Sequence, residues 1–73
     1  MLPDGTYDVF VVGAEPDGEP DRLRLELAIL GGEHKGEMVS MRTQGLGVDE
    51  IDALGLPGTL VVHVGQPSVT LDT

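Results

Sequence analysis

The side chains in this sequence that are best suited to binding a ligand are its arginines. Only four of the 73 residues are basic, against thirteen acids, yet Arg22 directly precedes the stretch LRLELAIL and Arg24 is its second residue. Arginine donates paired hydrogen bonds to carboxylates and phosphates, and an aromatic ring beside it can stack on a nucleic-acid base. The pattern therefore indicates a binding surface, unless the arginines only neutralise neighbouring acids.

The predicted contact surface is the outward face of the first three strands. Side chains two residues apart on a strand point to the same side, so the leucines of LRLELAIL point inward and the residues between them outward. Arginine, phenylalanine and methionine are enriched at the centre of protein interfaces. The alternative is that the apolar members of this face only shield the barrel. The predicted binding residues are Phe10, Arg24, Glu26, Met38 and Arg42.

No other group of residues has a spacing typical of catalysis or metal binding. The loop GGEHKGE offers Glu33, His34 and Glu37, but zinc sites usually take four ligands, mostly Cys or His. The acidic stretch VDEID lacks the spacing of an EF-hand. Neither Ser40 nor Ser68 has a histidine placed by the sequence to activate it. We therefore predict a protein without catalytic residues, metal site or cofactor.

The composition indicates one small acidic domain spanning residues 1–73. A chain of this length buries only about 60% of its unfolded surface, and it has no cysteine. The net charge of −9 disfavours nucleic acids and anionic membranes as partners. The N-terminus lacks the basic region of a signal peptide, and the longest apolar run is the short VFVV. We expect a cytoplasmic or virion-associated protein without membrane association.

Turn residues divide the chain into short strands. The tripeptide PDG occurs at 3–5 and at 16–18, and it is typical of tight turns. Between these turns, TYDVFVVGA predicts the first strand, with Gly13 at a bend. The segment AEPDGEPDR predicts a polar loop, because its prolines would interrupt a strand. The second strand is predicted at 22–30 and, after the loop GGEHKG, the third in EMVSMRT.

The alternation of apolar residues also predicts how the second and third strands pair. Residues directly opposite each other must point to the same face of the sheet. We predict the register in which Ile29 lies opposite Val39 and Glu26 lies opposite Arg42, because opposite charges then face each other across the strands.

The rest of the chain predicts one helical turn and two strands. In GVDEIDALGLPG, Asp49 is placed to cap the turn and Gly55 to end it, while Val48, Ile51 and Leu54 form its apolar side. The fourth strand is predicted in TLVVHV and the fifth in SVTLD, joined by a turn at GQP. The inward residues predicted on the fourth strand are Leu60, Val62 and Val64.

These elements follow the order β-β-β-α-β-β in a single domain. That is the element order of an OB-fold, a five-stranded Greek-key barrel, with the helix between strands three and four. We therefore predict an all-β fold with one short helix, arranged as a small OB-fold-like barrel. An open SH3-like roll or a fragment of a β-sandwich is the alternative with the same number of strands.

The first part of the chain resembles small phage-encoded OB-fold proteins. In those proteins a glycine and a tyrosine open the first strand, as do Gly5 and Tyr7 here, and a leucine-rich second strand leads into a G-x-x-x-G hairpin, as at Gly32 and Gly36. The resemblance covers about the first forty residues and implies association with single-stranded DNA or with recombination. Glu37 departs from the pattern, which usually has a basic residue there.

Three classes of function follow from these observations. The first is a non-catalytic module that binds a protein partner or assembles with copies of itself, for example a phage accessory or virion component. The second is a single-stranded nucleic-acid-binding OB-fold protein. The third, a small enzyme or metal protein, has the least support. The negative charge favours the first class, whereas the resemblance favours the second.

Overall fold

The computed structural model of the protein describes residues 2–72 and contains five strands and one short helix. The predicted all-β class, the single short helix and the order β-β-β-α-β-β are confirmed. The elements are β1 (Gly5–Asp17), β2 (Glu19–Ile29), β3 (Met38–Gln44), α1 (Glu50–Ala53), β4 (Pro57–His63) and β5 (Gln66–Leu71).

The strands form one antiparallel sheet in the order β3-β2-β1-β4-β5. The sheet curls into a half-barrel, consistent with a small barrel. Its two edges are β3, which pairs with β2, and β5, which pairs with β4. Full closure of the barrel would require these two edges to pair with each other or with an added strand.

The core lies on the inner face of the curled sheet. The second strand supplies every odd-numbered residue from 23 to 29, as the alternation predicted, and the helix supplies one alanine. The even-numbered residues of β2 therefore point outward, toward the predicted contact surface. The buried apolar residues are Val9, Val11, Leu23, Leu25, Leu27, Ile29, Ala53, Leu60 and Val62.

The first two strands are longer than predicted, because they continue through AEPDGEPDR to a tight hairpin at Gly18. Gly18 has a φ of 83°, in the left-handed region that glycine adopts without strain. Pro16 pairs with Leu23, at a point where β4 no longer accompanies β1, since main-chain bonds on that side end at Val11. Proline is tolerated on such an edge segment, so the predicted loop was wrong.

The predicted pairing of strands two and three has the correct parity but the wrong register. Arg42 lies opposite Arg24 rather than opposite Glu26, and the whole ladder is shifted by the same two residues. The connecting loop explains the shift, because the Ile29 N–H donates to the carbonyl oxygen of Glu37 at 3.0 Å. The loop thus closes earlier than the charge-pairing argument assumed. The observed inward pairs are Leu23–Thr43, Leu25–Met41 and Leu27–Val39.

The helix is a single turn whose cap was predicted correctly, whereas of its predicted apolar side only Val48 packs against the core. The Asp49 carboxylate accepts a hydrogen bond from a backbone N–H of the turn at 2.8 Å. Ala53 is the residue buried in the core, whereas Ile51 is 73% exposed and Leu54 is half exposed. A helix this short can bury only one position against β1, so a three-residue spacing of larger side chains does not determine which residue faces inward.

The turn between β4 and β5 lies one residue earlier than predicted, at Val64 and Gly65. Both have positive φ, 51° and 75°, and they connect the paired residues His63 and Gln66 as in a type I′ hairpin. Val64 is therefore exposed and not inward as predicted. The Asp4 carboxylate accepts hydrogen bonds from the N–H groups of Val64 and Gly65 at 2.9 and 3.1 Å, which attaches the N-terminal segment to this turn.

Candidate functional site: the outer face and the open side of the half-barrel

An apolar row crosses four strands on the outward side of the sheet. On β1, Phe10 pairs with Ala28 of β2 on one side and with Pro57 of β4 on the other. Ala28 in turn pairs with Met38 of β3. We call these four residues the apolar row and the outward side of β1, β2 and β3 the outer face. Met38 is 56% exposed and Phe10 is partly buried. The row spans about 14 Å across the strands, so it forms a continuous apolar strip that water reaches at Met38.

A charged row crosses the same face near the β1–β2 hairpin. Glu15 lies opposite Arg24, and Arg24 lies opposite Arg42. Like charges in directly opposed positions are destabilising, and two carboxylates offset this repulsion. Arg24 Nη2 lies 2.5 Å from Glu15 Oε2, and Arg42 Nε lies 3.5 Å from Asp17 Oδ2. We call these four residues the charged row.

Arg22 adds a third cation to this end of the sheet. It is exposed, and among the described residues it forms no ion pair within 4.0 Å. Together with Asp17, Arg42 and Gln44 it borders a shallow depression. Three of the four basic residues of the chain therefore lie at one end of the outer face, among acids that partly neutralise them.

The two rows are separated by a short polar stretch. Glu26 lies opposite Gly13 on β1 and opposite Ser40 on β3. The β1 ladder shifts between Val11 and Gly13, so the bend predicted at Gly13 is present as a β-bulge. Along β2 the two rows are four residues apart, which corresponds to about 13 Å.

The structure thus places all five predicted binding residues on one face, but in two groups. Phe10 and Met38 belong to the apolar row, Arg24 and Arg42 to the charged row, and Glu26 lies between the rows. The alternative that the arginines neutralise neighbouring acids describes Arg24 and Arg42, which contact Glu15 and Asp17. Both acids come from the segment that the sequence interpretation assigned to a loop.

A groove lies on the open side of the half-barrel, between β3 and the β4–β5 hairpin. Its volume is about 360 Å³, and the sequence interpretation did not predict it. The two edges of the sheet do not pair with each other, which leaves this side of the half-barrel open. The apolar wall of the groove includes Leu60 and Val62, which belong to the buried core. The lining residues are Leu2, His34, Glu37, Met38, Val39, Ser40, Leu60, Val62, Gly65 and Pro67.

The loop between β2 and β3 closes one end of this groove. His34 Nδ1 and a carboxylate oxygen of Glu37 are hydrogen-bonded, and the rings of His34 and Tyr7 meet edge to face with their centroids 6.0 Å apart. The Tyr7 hydroxyl donates to the carbonyl oxygen of Pro3. Within residues 2–72, no three or more His, Asp or Glu side chains are grouped so as to hold a metal ion.

Comparison with protein-family models, with curated proteins and with solved structures gave no match. The resemblance to small phage-encoded OB-fold proteins therefore stays a prediction. The short helix found in residues 2–72 is not long and apolar enough to cross a membrane.

Proposed function

We propose that this protein is a non-catalytic binding module that contacts another protein, or a further copy of itself, through the outer face. The observation that carries this proposal is the apolar row, which runs without interruption across four strands on the side of the sheet opposite the core. An apolar strip that stays partly exposed, as this one does at Met38, is typical of surfaces that contact a partner. The charged row beside it supplies arginines, which are often among the residues that contribute most to binding energy at an interface.

The charge distribution favours a protein over a nucleic acid. The net charge is −9, and two of the three arginines on the outer face already contact carboxylates. A phosphate would have to compete with Glu15 and Asp17 for them, whereas a partner protein can extend the same ion-pair network. As a finer assignment, we propose an OB-fold, supported by the element order and the helix between β3 and β4, and a role as a phage accessory or virion component, supported by the N-terminal resemblance.

The test of the outer face uses two variants and two matched controls. Candidate partners are captured by cross-linking in a lysate, identified and purified, and their affinities are then measured by titration. Met38→Ser and Arg24→Gln are each expected to weaken binding by about tenfold or more. Val61→Ser removes a similarly placed apolar side chain from β4, and Lys35→Gln removes the one cation outside the face; both should leave the affinity unchanged. Equal effects of variants and controls would refute the outer face as the contact surface.

A second candidate function is single-stranded nucleic-acid binding. The specific observation in its favour is the convergence of Arg22, Arg24 and Arg42 at one end of the face that holds Phe10. The same protein is titrated with oligothymidylate at low salt while backbone amide shifts are recorded. Shifts on β1 to β3 that weaken in Arg24→Gln and at raised salt would support this function. No shift on that face at low salt would exclude it.

A further inference from the structure

The edge strand β3 has unpaired main-chain groups that point away from β2. At one end of the ladder the Ile29 N–H bonds to Glu37, and at the other end the Gly45 N–H donates to the Asp21 carbonyl oxygen at 3.0 Å. Hydrogen-bonded pairs recur at every second residue of an antiparallel ladder, so the odd-numbered residues of β3 bond to β2. The N–H and C=O groups of Met38, Ser40, Arg42 and Gln44 therefore face the free edge.

The β3 edge lacks three of the features that commonly prevent the addition of a strand. Exposed edges are commonly protected by proline, by bulges or by charges that point inward. The β3 strand contains no proline, its ladder with β2 has no register shift, and its inward side chains are uncharged. Those inward side chains are Val39, Met41 and Thr43.

The opposite edge of the sheet is protected. The Asp72 N–H donates to the Pro57 carbonyl oxygen at 2.8 Å, and the same alternation places the main-chain groups of Pro67, Val69 and Leu71 on the free side of β5. Pro67 has no N–H to donate there, as expected for proline on a protected edge. The β3 edge therefore offers an added strand more free N–H donors than the β5 edge does.

We propose that an extended apolar segment of a partner protein, flanked by basic residues, binds along the free edge of β3 and covers the groove. Its main chain bonds to Ser40 and Arg42, and its alternate side chains enter the groove beside Val39 and Val62. This is recognition by strand addition, in which the main chain supplies affinity and a neighbouring pocket supplies specificity. The inference rests on the proposed role in protein binding, but it uses the main chain of the β3 edge and not the side chains of the charged row.

The groove favours a single strand over a second whole domain. Residues of β3 and of the β4–β5 hairpin line the same cavity of about 360 Å³, a volume suited to a few side chains of one strand and not to a folded domain. A second copy would also bring another charge of −9 to the contact. A single extended segment avoids both costs.

The carboxylates at the mouth of the groove favour basic flanking residues. Glu37 lines one wall, and the Asp4 carboxylate is bonded to Gly65 on the other wall. Lysine or arginine next to the apolar residues would be attracted to both, and to the negative charge of the whole chain.

The test uses a short synthetic peptide in which valine and threonine alternate between terminal lysines. Titration into the full chain, followed by amide chemical shifts and hydrogen exchange, is expected to protect the N–H groups of Ser40 and Arg42. Ser40→Pro removes one of these donors without breaking a bond to β2, and it should weaken the peptide by about tenfold. Val69→Pro, the matched change on the free side of β5, should leave the affinity unchanged.

Two control peptides keep the inference testable even if Ser40→Pro does not fold. A peptide methylated on alternate backbone nitrogens should lose binding, and one with terminal glutamates should bind more weakly. The inference would be overturned if the methylated peptide bound equally well, or if protection were confined to β5 or to Glu15, Asp17 and Arg24. It would also be overturned if β3 became protected at raised protein concentration without peptide. If a partner protein bound through Arg24 but the peptide left β3 unprotected, this inference would be overturned. The proposed function would then still hold.

Discussion

At the scale of single residues, the structure contains one backbone conformation that is costly for the side chain it carries. Val64 has a φ of 51°, and a β-branched residue in the left-handed region is an outlier. The type I′ turn that it shares with Gly65 strongly prefers Asn-Gly or Asp-Gly. Val64 is also 75% exposed, so its side chain contributes little burial in return for the strain.

Val64→Asn is therefore expected to stabilise the protein, by about 1 kcal/mol, because asparagine tolerates this conformation better than valine. The measurement is the free energy of unfolding in urea. Val61→Asn is the matched control, since it makes the same chemical change at a paired position of β4, where it should destabilise. A loss of stability in Val64→Asn, equal to that in the control, would contradict the assigned turn.

At the same scale, inward and outward positions could largely be predicted from the sequence. Period-two alternation identified the buried leucines and isoleucine of β2, because a strand can bury only one of its faces in a half-barrel. It failed at Val64, since the turn begins one residue before the apolar run ends. It also gave no signal for Ala53, a small residue whose burial depends on how closely the helix approaches β1.

At the scale of elements, alternation determines the parity of strand pairing but leaves the register open. Shifts by two residues keep every side chain on its own face, so only weaker terms distinguish them. The charge-pairing term favoured Glu26 opposite Arg42, at ~0.2–1 kcal/mol. In the observed register the β2–β3 loop closes at Ile29, and Glu15 and Asp17 contact the arginines. A single cross-strand charge pair could not weigh these contacts against its own contribution.

The register can be tested with an engineered disulfide, because the chain has no cysteine of its own. Glu26→Cys with Ser40→Cys places two thiols at a directly opposed, exposed pair that does not exchange main-chain hydrogen bonds, where Cα atoms lie about 4.5 Å apart. Disulfides form at Cα distances of about 4.4–6.8 Å, so air oxidation should cross-link this variant rapidly. The measurement is thiol titration with mass spectrometry under denaturing conditions.

The matched control for this cross-link is Glu26→Cys with Arg42→Cys. In the observed register these two positions are diagonal, about 7–8 Å apart, which is too far for an unstrained disulfide. The control is therefore expected to stay reduced over the same period. Faster cross-linking of the control would restore the register in which Glu26 lies directly opposite Arg42.

At the scale of the whole molecule, charge repulsion opposes a core that is small. The chain carries thirteen acids and four basic residues, and the ion pairs found among residues 2–72 all involve exposed or partly exposed side chains. Exposed pairs contribute little to stability. Some acids even face each other, since Asp17 lies opposite Glu19 at the β1–β2 hairpin. Net repulsion should therefore outweigh the attraction within the pairs.

Salt is accordingly expected to stabilise this protein. Raising sodium chloride from about 0.05 M to about 0.5 M shortens the range of charge interactions, which relieves the repulsion more than it weakens the exposed pairs, so the urea midpoint of unfolding should rise. Glu19→Gln with Glu33→Gln removes two acids outside the ion pairs, changing the net charge from −9 to −9 + 2 = −7. This variant should be more stable at low salt and respond less to salt. A midpoint that falls with salt would mean that the ion pairs of the charged row dominate. The arginines would then mainly stabilise the fold, and a partner that bound them would destabilise it.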